Sequence, residues 1–262
     1  MWVETLWAFL FGLLWGSFGN VIIVRWPKGM SVVKPRSHCP KCQTMVRWYD
    51  NIPVISWCLL RGRCRDCCEP ISARYPLVEL ITGGLFAATY WYYGFHWITL
   101  EYMIFCWGLV VVSFIDLDHM LLPDVFTLSG IVLGLLGGWL NPEREFLPAL
   151  YGTLMGGGFL WAIAYLYFVF RKEEGMGGGD IKLLGWIGAI LGWKAIPFVI
   201  MVSSIVGSVV GLALAFRAQT GLKSVIPFGP YLALAAVLYL FGGEVLSLWY
   251  IGLFQLPIDP VN

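Results

Sequence analysis

The residues with the clearest chemical potential in this sequence are two aspartates in very apolar surroundings. Asp180 follows three consecutive glycines and precedes an apolar run, and Asp116 lies in an Ile-Asp-Leu-Asp stretch at 115–118. A carboxylate at membrane depth is costly and usually faces a bundle interior or a water-filled cavity, so it marks a functional site. A helix N-cap is the alternative interpretation of Asp180, because Asp after glycine commonly starts a helix.

Two carboxylates in one poorly hydrated site can carry out acid–base hydrolysis. They cannot both ionise cheaply, so they share a proton. The ionised member can take a proton from an attacking water while the protonated member hydrogen-bonds to the scissile carbonyl. The apparent pKa values belong to the pair, and the sequence does not say which member is the base. The only histidines, His38, His96 and His119, complete no set typical of serine or cysteine proteases.

Four cysteines form a second candidate site, in two C-x2-C pairs. Cys39 and Cys42 form the first pair, Cys64 and Cys67 the second, and 21 residues separate the pairs. Two such knuckles can present four thiolates tetrahedrally to Zn²⁺, and the surrounding Lys and Arg favour the thiolate form. Redox-active cysteines are an alternative, and Cys68 could replace Cys67 as the fourth ligand.

The remaining candidates near the cysteines are weaker. His38 could compete with Cys39 as a ligand, and no general base is evident beside the cluster. We therefore expect a structural zinc and not a catalytic one. Cys58 and Cys106 lie in apolar segments and are interpreted as packing residues.

Composition places the chain in a membrane. Of its 262 residues 59% are hydrophobic and 13% charged, about half the charged fraction of a soluble domain. The net charge of +1 indicates no particular partner, and we expect no nucleic-acid partner. Because the N-terminus lacks a basic region and a small-residue cleavage site, the first apolar stretch is expected to be a retained span.

Eight apolar stretches approach the roughly 20 residues that cross a bilayer as a helix. The predicted fold class is therefore an all-α polytopic membrane protein with about eight transmembrane helices. The sixth stretch is short, and the eighth contains Glu244. The stretches are 6–24, 77 to 91 or 94, 98–115, 125–140, 147–170, 181–193, 195–216 and 225–254.

The polar, cysteine-rich segment between the first two stretches sets the predicted domains and orientation. Residues 25–76 hold ten Lys or Arg against three Asp or Glu, 10 − 3 = +7, which places this segment in the cytoplasm. We expect 1–25 to be the first transmembrane helix, 26–76 a cytoplasmic zinc module with four cysteine ligands, and 77–262 a seven-helix transmembrane core. With eight spans, both aspartate segments then lie on the cytoplasmic face.

A series of motifs spanning nearly the whole chain resembles the type IV prepilin peptidases, which are leader peptidases and N-methyltransferases of bacterial inner membranes. Gly19, where a bulkier residue is usual, and Cys68, where glycine is expected, depart from the pattern. The matching motifs are GSFGNV at 16–21, RWP at 25–27, CPKC at 39–42, WYDNIP at 48–53, the second knuckle, RYPLVE at 74–79, IDLD at 115–118, LPD at 122–124, GGGD at 177–180 with Lys182, and PFGP at 227–230.

The resemblance implies an aspartic endopeptidase with Asp116 and Asp180 as its catalytic pair. It implies prepilin or type II secretion pseudopilin substrates, cut between a basic leader and an apolar helix at the cytoplasmic edge of the bacterial inner membrane. The sequence does not separate these two substrate classes. The resemblance also implies N-methylation with S-adenosylmethionine, although no glycine-rich fingerprint for that cofactor is present and its binding residues are not assigned.

Four charged neighbours have open roles. Glu79 is either a polar contact within the membrane or a substrate contact. Asp118 is interpreted as a solvated loop residue and Asp124 as the N-cap of the fourth helix. Lys182 can pair with an aspartate or with a lipid phosphate.

Two other classes of function compete with a peptidase. Paired membrane carboxylates also serve ion-coupled transporters as proton relays, but the sequence shows no inverted halves or matching broken helices. A non-catalytic scaffold that binds pilus assembly proteins would need the cysteines but neither aspartate.

Overall fold

The computed structural model describes residues 1–173, 177–218, 226–243 and 245. These residues are helical apart from loops and two isolated β-bridges, so the all-α fold class is confirmed. The chain divides into two compact units, Met1–Leu121 and Leu122–Asn262. The helices are α1 Trp2–Arg25, α2 Ile55–Leu59, α3 Arg74–Tyr93, α4 Trp97–His119, α5 Asp124–Leu140, α6 Phe146–Arg171, α7 Gly178–Leu191, α8 Ala195–Ala218 and α9 Gly229–Leu238, which a π-helical turn Tyr239–Gly243 follows.

Among the described residues, four helices are long and apolar enough to cross a membrane, by length and composition. They are Trp2–Lys28, Trp97–His119, Phe146–Arg171 and Ala195–Phe216; Asp124–Leu140 and Gly229–Gly243 are shorter apolar helices. The count of eight spans is not confirmed and stays a prediction. The eighth predicted stretch lies partly outside the described residues, and so does Glu244.

In the first unit, glycines bring α1 and α3 into close antiparallel contact. A Cβ at Gly12 would lie 2.8 Å from the Gly83 Cα, and a Cβ at Gly16 would lie 2.7 Å from the Glu79 Cα. Gly19 faces the Trp107 indole, 3.1 Å from where its Cβ would be. The small residue at position 19 is therefore matched by a large one on α4.

In the second unit, α7 is the core and not a lipid-facing helix. All residues from 183 to 190 are buried, and the helix packs on α5 and α6. A Cβ at Gly156 would lie 2.5 Å from the Leu184 carbonyl oxygen, and a Cβ at Gly152 would overlap the Gly188 backbone. With 14 residues, α7 is about 21 Å long, shorter than the roughly 30 Å hydrocarbon core. The neighbouring helices α5 and α6, and not lipid, therefore surround this short apolar helix.

Candidate active site and cysteine cluster

Asp116 is buried in the last helical turn of α4. It is 5% exposed, and the helix ends three residues later at His119. Met120 closes the helix in the left-handed region, with its N–H donating to the Asp116 carbonyl at 2.8 Å. A carboxylate withdrawn from water at a helix end is a candidate for acid–base chemistry.

Arg74, the first residue of α3, holds this turn of α4. Its guanidinium lies 2.5 Å from the Asp118 carboxylate and donates to the Phe114 carbonyl at 3.0 Å. It also lies over the Phe114 ring, 4.9 Å from the centroid. Asp118 is thus an exposed helical residue in an ion pair. The expectation that it is solvated is confirmed, and the expectation that it lies in a loop is wrong.

Asp180 lies in the first turn of α7 and is half-buried. The N-cap is Gly177, to whose carbonyl the Asp180 N–H donates at 3.2 Å, so the N-cap interpretation of Asp180 is wrong. The positive end of the helix dipole favours a carboxylate here. A Cβ at Gly179 would lie 2.8 Å from the Leu122 Cβ, which explains why glycine precedes the aspartate.

A second ion pair lies beside Asp180. The Lys182 ammonium is 2.6 Å from the Asp124 carboxylate, so of its two predicted partners Lys182 contacts the aspartate. Asp124 is the first residue of α5, whose N-cap is Pro123 with no side-chain cap. The prediction that Asp124 caps this helix is therefore wrong.

The two aspartates belong to different units, and their pairing stays a prediction. What the structure describes is the setting of each one within its own unit. Each aspartate lies at a helix terminus. An ion pair near Asp116 joins α4 to α3, and an ion pair near Asp180 joins α7 to α5.

The four predicted zinc ligands come together. Their sulfur atoms all lie within 4.8 Å of one another. The Cys39 and Cys67 sulfurs are 3.7 Å apart, and those of Cys42 and Cys64 are 4.0 Å apart. A tetrahedron with Zn–S bonds of about 2.3 Å has edges of about 3.8 Å. The thiol set therefore fits a Zn²⁺ ion.

The two knuckles repeat the same backbone turn. The Cys39 N–H donates to the Thr44 carbonyl at 3.0 Å, and the Cys64 N–H donates to the Glu69 carbonyl at 2.8 Å. Gln43 and Cys68, the residues after each pair, have positive φ values of 59° and 57°.

This turn explains the unusual cysteine at position 68. Cys68 occupies the left-handed position where glycine is most easily accommodated, and it lies outside the four-sulfur cluster. Cys67 is thus the cluster member of the two. The His38 ring contacts the Arg36 carbonyl and is outside the cluster.

The pKa values of two thiols of the cluster are shifted in opposite directions. Hydrogen bonds from the side chain and backbone of Thr44 lower the pKa of Cys42 to about 6. A backbone hydrogen bond at Glu69 lowers the pKa of Cys67, but desolvation and hydrogen bonds with the other thiols outweigh it and raise that pKa to about 12. Because zinc binds the thiolate form, metal binding must release the proton of each protonated thiol.

Acidic side chains of the module are all paired. Arg65 holds the Asp50 carboxylate through two nitrogen atoms, at 2.8 and 2.6 Å. This hydrogen bonding lowers the pKa of Asp50. The other two pairs are Arg47 with Asp66 at 3.9 Å and Lys41 with Glu69 at 3.4 Å.

The two remaining cysteines differ from each other. Cys106 is buried, which confirms its interpretation as a packing residue. Cys58 is exposed, so its interpretation as a packing residue is wrong.

Glu79 joins the cysteine-rich segment to the membrane helices. The buried Glu79 carboxylate accepts a hydrogen bond from the Val54 N–H at 2.7 Å, and the Ser17 side chain of α1 lies near it. Nearby, the Asn20 amide donates to the Tyr75 carbonyl at 3.0 Å. The sequence alone does not decide the role of Glu79. Ser17 and Asn20, polar residues three apart in the apolar α1, are the signal for such a contact.

Comparison with known proteins covers most of the chain. Residues 10–93 match the model of the bacterial peptidase A24 N-terminal domain, and residues 103–212 match that of the type IV leader peptidase family. No solved structure matches the chain.

Curated relatives are similar along nearly their full lengths, and each is named a prepilin leader peptidase/N-methyltransferase. The relative from Aeromonas hydrophila is 40% identical over 278 residues, which cover 95% of this chain and 94% of the relative. That from Pseudomonas aeruginosa is 37% identical, covering 92% and 91%. That from Neisseria gonorrhoeae is 39% identical, covering 87% of each.

Proposed function

The chain belongs to the type IV leader peptidase family, as its motifs predict, and from this premise we propose that it cleaves prepilin-like substrates with Asp116 and Asp180. The peptide bond cut is the one between a short basic leader and the apolar helix that follows it. The enzyme then methylates the new N-terminus. The observation that carries the aspartic assignment is the burial of Asp116 at the end of a membrane helix.

Hydrolysis by this pair needs one proton shared between two carboxylates. The ionised carboxylate takes a proton from water as the water oxygen attacks the scissile carbonyl carbon. The protonated carboxyl group hydrogen-bonds to the carbonyl oxygen as negative charge develops there. When the C–N bond breaks, a proton passes to the leaving nitrogen, and the pair returns to its singly protonated state.

The local setting of each aspartate supports a different role. Asp180 lies at the positive end of α7, which favours its ionised form. Asp116 lies at the opposite kind of terminus, the C-terminal turn of α4, where the helix dipole disfavours negative charge. We therefore propose Asp180 as the base and Asp116 as the acid in the attack step.

The cysteine cluster would hold a structural zinc through Cys39, Cys42, Cys64 and Cys67. The metal would join two knuckles that have little apolar core of their own. All four positions carry protein thiols, which leaves no open coordination site for a water. Zinc thus serves the shape of the module and takes no part in peptide hydrolysis.

Methyl transfer rests on the names of the relatives. S-adenosylmethionine would supply the methyl group, and the amine released by cleavage would attack it. We assign no residues of this chain to that step.

A bacterial inner-membrane location with the catalytic side in the cytoplasm completes the proposal. The excess of basic residues between α1 and α3 supports this orientation. The ends of α1 and α4 and the start of α7 would then share the cytoplasmic side, where a leader would reach them.

Cleavage of a prepilin-like protein in proteoliposomes tests the pair. Wild type, Asp116→Asn and Asp180→Asn are compared by intact mass in the presence of S-adenosylmethionine, with Asp66→Asn as a matched change in the module. We expect no cleavage by the first two variants, normal cleavage by Asp66→Asn, and a wild-type product heavier by one methyl group.

The cleavage assay, with measurements of proton flux and of pilus assembly, separates the alternatives. Cleavage by either aspartate variant at the wild-type rate would contradict the assignment of the pair. Proton-coupled flux without any cleaved product would point to a transporter. Full pilus assembly by a double aspartate variant would point to a scaffold.

A further inference from the structure

The short helix α2 begins beside the membrane helices and not at the far end of the module. Its N-cap residue Val54 donates its N–H to Glu79, five residues into α3. At a rise of about 1.5 Å per residue, that is about 8 Å along α3 from its first residue. Glu79 also packs on Gly16 of α1, the first of the helices suited to cross a membrane.

The inner face of α2 is packed within the module. The Trp57 indole N–H donates to the Ile71 carbonyl at 3.0 Å, and the ring lies 2.8 Å from where a Cβ at Gly62 would be. The Ser56 hydroxyl hydrogen-bonds to the Ile52 carbonyl at 2.6 Å. These contacts fix the rotation of the helix about its axis.

The opposite face of α2 is apolar and open. Ile55 is 54% exposed and Leu59 is 78% exposed. Residues four apart lie on the same side of a helix, so the two side chains form one apolar ridge. Trp57, two residues from each, points the other way.

Two unpaired cations follow this ridge. Arg61 and Arg63 are exposed, and among the described residues neither is in an ion pair. The three acidic side chains of the module are already held by Lys41, Arg47 and Arg65. Nothing acidic within the module is left to neutralise the two arginines.

We propose that α2 and the turn after it dock on the membrane surface, with Ile55 and Leu59 in the acyl boundary and Arg61 and Arg63 on anionic lipid headgroups. Arginine beside an apolar ridge can lay its stem along hydrocarbon and keep its charge among phosphates. Each basic residue near an anionic surface contributes about a fivefold shift in the binding equilibrium.

Anionic lipid fits this ridge better than the other possible occupants. A ridge of two side chains is far smaller than the roughly 800 Å² per partner of a specific protein interface. A basic leader would be repelled by the two arginines. The Val54–Glu79 hydrogen bond already places α2 against the membrane helices, so docking needs no movement of the module.

Photo-crosslinking in nanodiscs tests the docking with the full chain. Leu59 is replaced by photoreactive p-benzoyl-phenylalanine, and in a second sample Met45, an exposed residue of the other knuckle, is replaced instead. After illumination, intact mass reads lipid adducts in phosphatidylglycerol discs and in phosphatidylcholine discs. We expect several-fold more lipid adduct at position 59 than at 45, and more with the anionic lipid.

Charge variants locate the contact. Arg61→Gln/Arg63→Gln should lower the adduct at position 59 several-fold, whereas Lys34→Gln/Arg36→Gln removes the same charge elsewhere and should leave it unchanged. Bound zinc in each variant reports that the module is folded. Equal loss in both pairs, equal yield in both lipids, or adducts to protein in place of lipid would overturn the proposal.

Discussion

The Arg74 guanidinium bridges the Asp118 carboxylate and the Phe114 carbonyl oxygen, at 2.5 and 3.0 Å. These two contacts are made to the residues two positions on either side of Asp116. Arg74 thereby fixes the turn of α4 that presents the proposed acid, from a helix that precedes α4 in the chain.

Replacing Arg74 should slow catalysis with little effect on substrate binding. A shift of about 1 Å in a catalytic group can cost roughly 100-fold in rate, so we expect Arg74→Gln to lower kcat by about 10-fold to 100-fold. KM should change little. Arg74→Lys keeps the charge but not the two-armed contact, and it should recover only part of the loss.

Arg36→Gln is the control for this change, because it removes a module arginine with no contact to α4. An unchanged kcat in Arg74→Gln, with or without a rise in KM, would show that the bridge does not position Asp116.

The Lys182–Asp124 pair should contribute only modestly. Its side chains are exposed to solvent, and such pairs are worth about 0.2–1 kcal/mol. A double-mutant cycle with Lys182→Gln and Asp124→Asn should give a coupling free energy of unfolding in that range, measured by thermal or denaturant unfolding in detergent. A much larger coupling would mean that this pair is shielded from water.

Zinc binding should distinguish Cys67 from Cys68, its neighbour in the sequence. Cys67→Ala removes one of the four sulfurs of the cluster and should abolish stoichiometric zinc, measured by elemental analysis of purified protein. Cys68→Gly should retain zinc, because it only replaces a residue with a φ of 57° by one that adopts that φ freely. If Cys67→Ala retained zinc and Cys68→Gly lost it, Cys68 and not Cys67 would be the fourth zinc ligand.

Acid should loosen the module partly through Asp50. Because Arg65 lowers the pKa of folded Asp50, this pair stabilises the fold above the ordinary aspartate pKa of about 4 and loses that contribution as pH falls below it. Asp50→Asn should be less stable than wild type at neutral pH, and the difference should shrink on acidification. Limited proteolysis of the module from about pH 7 to about pH 3 measures it; a constant difference would contradict the linkage.

Two glycines of α6 should respond differently to the same change. Gly156→Ala places a methyl group 2.5 Å from the Leu184 carbonyl and should destabilise the second unit by about 1–3 kcal/mol. Gly158 has open space where its Cβ would be, so Gly158→Ala should be neutral or slightly stabilising. Thermal unfolding in detergent compares the two, and equal effects would argue against this packing.

Local patterns in the sequence were enough for the fold class and the cysteine cluster. A C-x2-C knuckle is a short turn whose geometry is set by neighbouring residues, so Cys39, Cys42, Cys64 and Cys67 could be predicted from spacing. Apolar runs likewise predicted the helices, because a run of about 20 apolar residues can cross a bilayer as a helix.

Contacts between distant segments could not be predicted this way. The roles of Asp118 and Asp124 depend on Arg74 and Lys182, which lie 44 and 58 positions away along the chain. The short α7 is a helix buried by α5 and α6, and its own composition does not distinguish protein from lipid as its surroundings. Cys58 shows the same limit, since its apolar neighbours are themselves partly exposed.

The close seam between α1 and α3 also bears on how the protein is made. Gly12 and Gly16 fit against residues of α3, but the ribosome adds the 48 residues between Arg25 and Arg74 before α3 exists. During that interval the glycine seam of α1 lacks the residues of α3 that it packs against. Once α3 has been made, it packs on these glycines, and its Glu79 carboxylate can accept the hydrogen bond from the Val54 N–H. The packing of α3 on α1 is thereby coupled to the folding of the cysteine-rich segment.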